Sequence, residues 1–236
     1  MIHWYERLIE ALAGTSSESE LFHRLKTLSR SLGFEHCSYG MRTPLPTVAP
    51  KFSLFSDYPD AWSQLYVTKN YFSIDPTVAH ALKETTPLLW SSDKPIASLE
   101  FWEEAQQHQL RHGWCMPSRG HYGTVGLLTF VRSAEVITRA ELDTKEHQMI
   151  ALTMLAHSAM SQMLAPKQMP ECTQALTPRE RQVLQWLASG KTYSETGRII
   201  QIDERTVKFH LGNAMRKLNA VNKAQATFKA AVLGLL

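Results

Sequence analysis

The 236-residue chain has three cysteines, Cys37, Cys115 and Cys172. An odd number argues against a disulfide framework, and their spacing is not that of a metal site. A reducing compartment is the expectation. Long apolar runs are missing too. No stretch approaches the roughly 20 residues that span a bilayer, and the opening MIHWYERLIEALAG is too charged for a secretory signal. A cytoplasmic protein with no membrane partner is expected. There is no internal repeat and no low-complexity tract.

The usual enzymatic motifs are also absent. Without a Gly-x-Ser-x-Gly elbow the common hydrolase nucleophile is excluded, and no Gly-rich loop could cradle a phosphate. His108 and His112 lie four apart, but the intervening Gln109-Leu110-Arg111 lacks the acid of a zinc protease. They read as a polar helix end. Cys37 adjoins His36, yet neighbours on a strand point to opposite faces, which argues against a thiol nucleophile. The chain opens on two helices and scatters its acids, unlike a phosphoacceptor receiver. No catalytic residue, metal or cofactor is expected.

What is present is an ordinary globular composition, 44% hydrophobic and 20% charged. Length allows one large domain or two unequal ones. The net charge of +3 conceals an asymmetry. From Gln174 onward ten Lys and Arg face four Asp and Glu, a balance of +6, while the preceding residues carry fifteen against eighteen, or −3. A small basic domain suits phosphate contacts and counterion release.

Helix signals fill that basic part. Thr177 can cap, Pro178 fits the first helical position, and Glu180 completes a capping box. Val183, Leu184, Trp186 and Leu187 supply an apolar face, and Ser189-Gly190 ends it. A short helix is predicted over Tyr193 to Ile200. After Gln201-Ile202, Asp203 is placed to cap Glu204 to Lys217. There Val207, Leu211, Ala214, Met215 and Leu218 form an apolar stripe opposite Arg205, Lys208, His210, Asn213, Arg216 and Lys217. By itself that segment is equally an amphipathic helix with a solvated face. A fourth helix, Lys223 to Leu233, closes the unit. Four helices in about sixty residues, with a tight connection between the second and third, make a helix-turn-helix.

The run LTPRERQVLQWLASGKTYSETGRIIQIDERTVKFHLGNAMRKLNAVNKAQA closely resembles the C-terminal DNA-binding domain of LuxR-type regulators. Thr177-Pro178-Arg179-Glu180, Gly190-Lys191-Thr192, Ile202, Glu204 to Lys208, His210 and Lys217-Leu218 match in register. Gly197 departs from the Ala of many members, at a cost of up to about 1 kcal/mol in helix propensity but with closer packing allowed. Gly212 departs where some members place a longer base-contacting side chain. Arg205, Lys208, His210 and Asn213, with Thr206 beside them, are candidates to reach base edges or nearby phosphates. Lys191, Thr192, Arg216 and Lys217 are candidate phosphate contacts.

Upstream, helices are expected over Ile2 to Ala13, from Ser17 or Ser19 to Leu32, over Tyr58 to Tyr66, Asp75 to Lys83 and Leu99 to Gln109, and from Thr138 to Leu164. Phe34 to Met41, Lys51 to Ser56, Leu88 to Trp90, Trp114 to Ser118 and Thr124 to Val131 read as strands. The predicted fold is a central antiparallel five-stranded sheet flanked by helices, an α/β/α sandwich of the α+β class, followed by the all-α four-helix domain. Tyr58, Trp62 and Tyr66 fall at i, i+4 and i+8, with Asp75 close behind. A plain aromatic core explains such a stripe. A carboxylate beside it needs hydrogen-bond partners, and Tyr and Trp donors could fix a small polar group in an apolar pocket.

The resemblance to LuxR-type regulators extends through this half, and is nearest to the acyl-homoserine-lactone receptors, in particular the orphan receptors of the QscR group. It rests on Phe34, Ser38, Gly40, Ala49-Pro50-Lys51, Tyr58-Pro59, Trp62, Tyr66, Asn70-Tyr71, Ile74-Asp75-Pro76, Trp90, Phe101-Trp102, Glu104-Ala105, Arg111 to Trp114 and Pro117. The resemblance implies that Trp62 donates to a lactone carbonyl, Asp75 accepts from the amide N–H and Tyr58 donates to the amide carbonyl, with help from Ser38 and Thr129. Trp90, Phe101 and Tyr66 would wall in the ring. Phe52, Leu54, Val78, Leu82, Leu127 and Leu128 are candidates to line the acyl tail, or ordinary core.

The sequence therefore reads as a quorum-sensing transcription factor. Residues 1–166 would bind an acyl-homoserine lactone and residues 176–236 promoter DNA. Residues 167–175, led by Pro166, form an expected flexible or extended connection. A homodimer is expected, through Thr138 to Leu164 or Lys223 to Leu233, with RNA polymerase a further candidate partner. The same architecture could sense a different small molecule or act without one. A lactone-opening enzyme using Asp75 as base lacks any accompanying nucleophile, metal site or oxyanion motif.

Overall fold

A computed structural model describes every residue except Met1, Ala13, Pro95 and Ala97, and of Ile2, His3, Trp4 and Arg7 the backbone alone. The expected end of the first helix at Ala13 lies outside the described residues. The chain divides into two compact units. One comprises Met1–Arg42, Phe52–Gly120 and Thr124–Met163; the other comprises Thr43–Lys51, His121–Gly123 and Leu164–Leu236.

The first unit is built on a five-stranded antiparallel sheet of order β2-β1-β5-β4-β3. Its strands are β1 His36–Arg42, β2 Phe52–Ser56, β3 Leu88–Ser91, β4 His112–Arg119 and β5 Val125–Arg132. The period-2 alternation of strands sorts their side chains into two layers. Cys37, Tyr39 and Met41 are buried on one face of β1. That face is covered by α2 Glu18–Ser31 and α6 Arg139–Gln168, and α1 Ile2–Leu12 packs on α2. Tyr39 donates its hydroxyl to, or accepts from, His157 Nδ1 at 2.7 Å, and the Trp114 indole donates to Glu146 at 2.9 Å. The other face carries Ser38, Gly40 and Arg42. Around it stand α3 Asp60–Thr68, α4 Pro76–Lys83 and α5 Leu99–Gln107. Ser17 caps α2 as expected, and Asp75 caps α4, whose first residue is Pro76.

Several sequence expectations shift. Tyr58 precedes α3, which begins after Pro59, so the three rings do not share one helix. The helix α5 stops at Gln107, and His112 lies buried in β4 with its Nδ1 3.0 Å from the Ser91 hydroxyl. His108 and His112 are therefore not helical neighbours. Gly113 is likewise a strand residue. A Cβ there would lie 2.1 Å from Trp90 Cζ2, so glycine lets the indole lie against β4. Among the described residues, no group of three or more His, Cys, Asp or Glu could hold a metal ion, and no helix is long and apolar enough to cross a membrane.

The second unit is helical, with α7 Pro178–Ala188, α8 Tyr193–Ile200, α9 Glu204–Lys217 and α10 Lys223–Val232. Thr177 and Thr192 each form a full capping box, and Asp203 and Asn222 cap the last two helices. Val183, Leu184, Leu187, Ile200, Val207, Leu211, Ala214, Leu218, Ala226, Ala230 and Leu233 form one core. Gly197 is required by packing: a Cβ would lie 2.6 Å from the Ile202 carbonyl oxygen. The expected extended connection is instead folded. The helix α6 continues through Pro166 to Gln168, and a 3-10 turn spans Pro170–Thr173. Met169, Cys172 and Leu176 are buried in the helical core, an i, i+3, i+7 stripe that the two prolines and the polar residues around it obscure.

Candidate functional site

Inside the first unit lies a cavity of about 160 Å³ between the sheet and α3, α4 and α5. Of the expected pocket residues, Ser38, Tyr58, Trp62, Tyr66, Asp75, Trp90, Phe101 and Thr129 all line it, as do Phe52, Leu54, Val78, Leu82 and Leu127. Leu128 does not. It alternates with Leu127 and Thr129 on β5 and is buried in the opposite layer.

The polar groups converge at one end. Asp75 is buried, and its Oδ1 accepts from the Thr77 backbone N–H and hydroxyl, both at 2.7 Å. Its Oδ2 accepts from the Tyr66 hydroxyl at 2.9 Å. Burial raises the Asp75 carboxyl above its ordinary range, against the pull of these donors. Burial also raises Tyr58 and Tyr66, and the Asp75 charge adds to both. The two phenols therefore stay protonated and able to donate. The Ser38 hydroxyl faces that of Tyr58, and Ser38 pairs directly with Thr129 across β1 and β5. Register thus brings together two hydroxyl residues that lie 91 positions apart in the chain.

Aromatic rings wall this end. Trp62 meets Tyr66, Tyr71 and Phe101 at centroid distances of 5.9, 5.8 and 5.5 Å. Trp90 and Trp102 lie 4.8 Å apart, and each has a buried indole N–H with no hydrogen-bond partner among the described residues. Away from the polar end the lining turns apolar. Gly40 has nothing within 4 Å of a notional Cβ. Phe52, Leu54 and Leu82 line the cavity while remaining 44%, 58% and 44% exposed, an apolar lip between β2 and α4.

Several lining residues escaped the sequence reading, among them Arg42, Phe72, Thr77, Ala81, Trp102 and Leu110. Arg42 was legible in principle, since alternation from Ser38 through Gly40 leads to it. The others depend on how α4, α5, the 3-10 turn Tyr71–Ser73 and the segment between α5 and β4 pack on the sheet. The Cys37 thiol is pushed up to about 12 by burial, which leaves it a poor nucleophile.

In the helical unit α9 buries Val207, Leu211 and Ala214 and exposes Arg205, Lys208, Phe209, Gly212 and Arg216. Thr206, His210 and Asn213 are half-buried beside that stripe. Lys208 pairs with Glu204 at 2.6 Å and sits over the Tyr193 ring at 5.4 Å. The Thr206 hydroxyl donates to Asp203, the Thr192 hydroxyl to Glu195, and Arg216 to Asn213. Lys191 is half-buried just ahead of the Thr192 cap. Lys217, one of the expected phosphate contacts, has partners within the helical unit. Its ammonium donates to buried Glu180 at 2.7 Å and to the Ala175 carbonyl at 2.9 Å, so it ties α9 to α7. The Glu180 carboxyl is held below its ordinary range by Lys217 and the Thr177 cap despite burial.

A sheet domain with an amphiphilic internal cavity, joined to a basic helix-turn-helix, defines a small-molecule-responsive DNA-binding regulator. The comparisons agree. Residues 17–160 match the autoinducer binding domain family, and residues 174–230 match the bacterial regulatory proteins of the luxR family. Over 238 residues the chain is 40% identical to the transcriptional activator protein AnoR of Acinetobacter nosocomialis, covering 100% of both. The structure of Escherichia coli SdiA in complex with octanoyl-rac-glycerol superposes with a TM-score of 0.84 at 29% identity, over 99% of this chain and 96% of that one. CepR2 of Burkholderia cenocepacia, described as an N-acylhomoserine lactone dependent LuxR family factor, gives a TM-score of 0.64 at 25% identity, over 70% of this chain and 96% of that one. The chain belongs to the LuxR family of quorum-sensing transcriptional regulators, with an autoinducer-binding domain and a helix-turn-helix DNA-binding domain. It is a regulator, not an enzyme.

Proposed function

We propose that the autoinducer is an N-acyl-homoserine lactone, held in the cavity of the first unit with its polar head at Asp75. The observation that carries this reading is the composition of the polar end. The head of such a ligand has one amide N–H and two carbonyls. Asp75 Oδ2 accepts from Tyr66 and keeps a second lone pair for an N–H. Tyr58 and Trp62 are donors for the carbonyls, with Ser38 and Thr129 at the same end. Each satisfied group avoids a desolvation cost of roughly 1–3 kcal/mol. The acyl tail lies past Gly40 and Leu127 and covers the Phe52, Leu54 and Leu82 lip. CepR2, described as dependent on the same ligand class, supports the assignment.

An amide N–H favours the ionised carboxylate. Affinity therefore falls as pH drops through the raised titration range of Asp75. Ligand stabilises the sensor, taken as about residues 1–166, by mass action. The protein then acts as a homodimer on promoter DNA through residues 176–236, with exposed Met154 of α6 and Phe228 of α10 on the candidate interfaces. RNA polymerase is the partner that such a promoter-bound regulator would meet.

A thermal-shift series on purified protein tests the ligand class, using butanoyl-, octanoyl- and dodecanoyl-homoserine lactones. Ligand at a hundred times its dissociation constant adds about 2.7 kcal/mol. With every compound at the same fixed concentration, the expected result is an upward shift that grows with chain length, since only longer tails cover the lip. SdiA has been crystallised with octanoyl-rac-glycerol, so that compound belongs in the series. A shift with the glycerol ester and none with any lactone would overturn the lactone assignment.

A further inference from the structure

One residue on the outward surface of α9 serves neither the core nor phosphate. Phe209 is 63% exposed. The buried residues Val207, Leu211, Ala214 and Leu218 fix the inward side of the helix. Helical spacing of three and four residues then aligns Arg205, Lys208, Phe209, Gly212 and Arg216 along the opposite side, all exposed. An aromatic ring thus stands in a row of cations. The His210 ring lies 5.6 Å from it, edge to face, and gives it a half-buried polar neighbour. Gly212 follows three residues on, and a Cβ there would meet nothing within 4 Å. The fold places no steric demand for glycine at that position. What its missing side chain leaves is open space beside the ring on the outward face.

Phosphate does not reward a phenyl ring, and a base edge offers it no hydrogen bond. The apolar group displayed on base-pair edges in the major groove is the thymine C5-methyl. We propose that Phe209 reads sequence by packing its ring on thymine methyl groups, and that Gly212 lets the backbone of α9 come close enough for that contact. Lys208 and Arg205 flank the ring and carry the charge complementarity that brings α9 to DNA. The inference rests on α9 being the helix that enters the major groove.

The test uses the full chain with the lactone that gives the largest thermal shift. A duplex is selected by the wild-type protein from a random-sequence pool. Each thymine of that duplex is then replaced in turn by deoxyuridine, which removes only the methyl group. At one or more positions per half-site, wild-type affinity should fall about fourfold, the value of one buried methyl-sized group. Phe209→Ala should bind the methylated and unmethylated duplexes equally, and Phe209→Leu should keep part of the discrimination. Wild-type indifference to every replacement would overturn the proposal, as would undiminished discrimination in Phe209→Ala. Loss of self-association in Phe209→Ala, with methyl discrimination intact, would assign the ring to a second copy of the chain and overturn it too. A protein that selects no duplex at all would overturn the placement of α9 and the proposal with it, whereas selection without methyl dependence overturns the proposal alone.

Discussion

In the helical unit, α7, α8, α9 and α10 each begin at a side chain that accepts from their own first turn. In the sheet unit, α3 begins at Pro59 and α5 at Ser98 with no side-chain cap bond, and the Trp90 and Trp102 indole N–H groups are buried with no partner among the described residues. The helical unit draws one core from all four helices, with the Thr196 hydroxyl buried and unpartnered among the described residues, while the sheet unit encloses a cavity rimmed by exposed Phe52, Leu54 and Leu82. Local rules account for the helix starts of the first arrangement. The second concentrates its polar groups on an inner surface where a ligand of matching polarity gains most. Uncompensated donors and an apolar lip are tolerated where binding, rather than folding alone, sets the sequence.

The comparison can be broken at several points. The largest effect is expected from Asp75→Ala. It should lower lactone affinity about a hundredfold, near the ~3 kcal/mol of a hydrogen bond to a charged group. Loss of the α4 cap should cost about 1 kcal/mol of stability. Calorimetric titration together with urea unfolding separates the two, and equal losses in both would make Asp75 merely structural. Next comes the contrast between two lysines of α9. Lys217→Ala strands the buried Glu180 carboxylate and should cost about 3 kcal/mol in urea unfolding. Lys208→Ala removes an exposed pair and should leave the urea midpoint nearly unchanged. It should instead weaken DNA binding and reduce the salt dependence by about one unit of slope. A reversal of the two would show that Lys217, not Lys208, faces DNA.

Gly197→Ala sharpens the case for packing over propensity. Propensity alone predicts a gain of up to about 1 kcal/mol. The 2.6 Å approach to the Ile202 carbonyl predicts a loss of about 1–3 kcal/mol, measurable as a lower urea midpoint. The smallest effect is a pH dependence in the sheet unit. Arg132 and Lys145 hold the Glu141 carboxyl down, from 4.5 to about 2. A depressed carboxyl contributes stability that is present above 4.5 and lost as pH falls toward 2. Between pH 5 and 3 the wild type should lose roughly 1–2 kcal/mol more than Glu141→Gln. Parallel curves for the two proteins would exclude the pair as its source.

How much of this was legible in the sequence differs between the units for the same reason. Thr177, Thr192 and Asp203 announce helix starts through contacts three residues away, and the apolar stripe of α9 repeats every turn. Even Phe209 lies open in the sequence, although only exposure distinguishes it from core. Asp75-Pro76 marked α4 equally well. The cavity was legible only where a resemblance supplied it. Helical spacing puts Tyr58 on a helix that it precedes and His112 at a helix end although it lies in β4, while for Leu128 strand alternation selects the core over the pocket. Residues 167–175 read as a loose connection because Pro166 and Pro170 outweigh the sparse stripe of Met169, Cys172 and Leu176.

The sequence by itself determined the two-part architecture, the basic helix-turn-helix and the caps, whereas the candidates for the polar end of the pocket came through the resemblance it carries. Those features rest on interactions a few residues apart, or on charge that can be counted. Tertiary structure alone decided that Ser38 pairs with Thr129, that Gly113 makes room for Trp90, that Gly197 meets Ile202, and that Lys217 pairs with Glu180. Each depends on which distant segments meet, and the free energy of such contacts comes from packing and desolvation that no local pattern encodes.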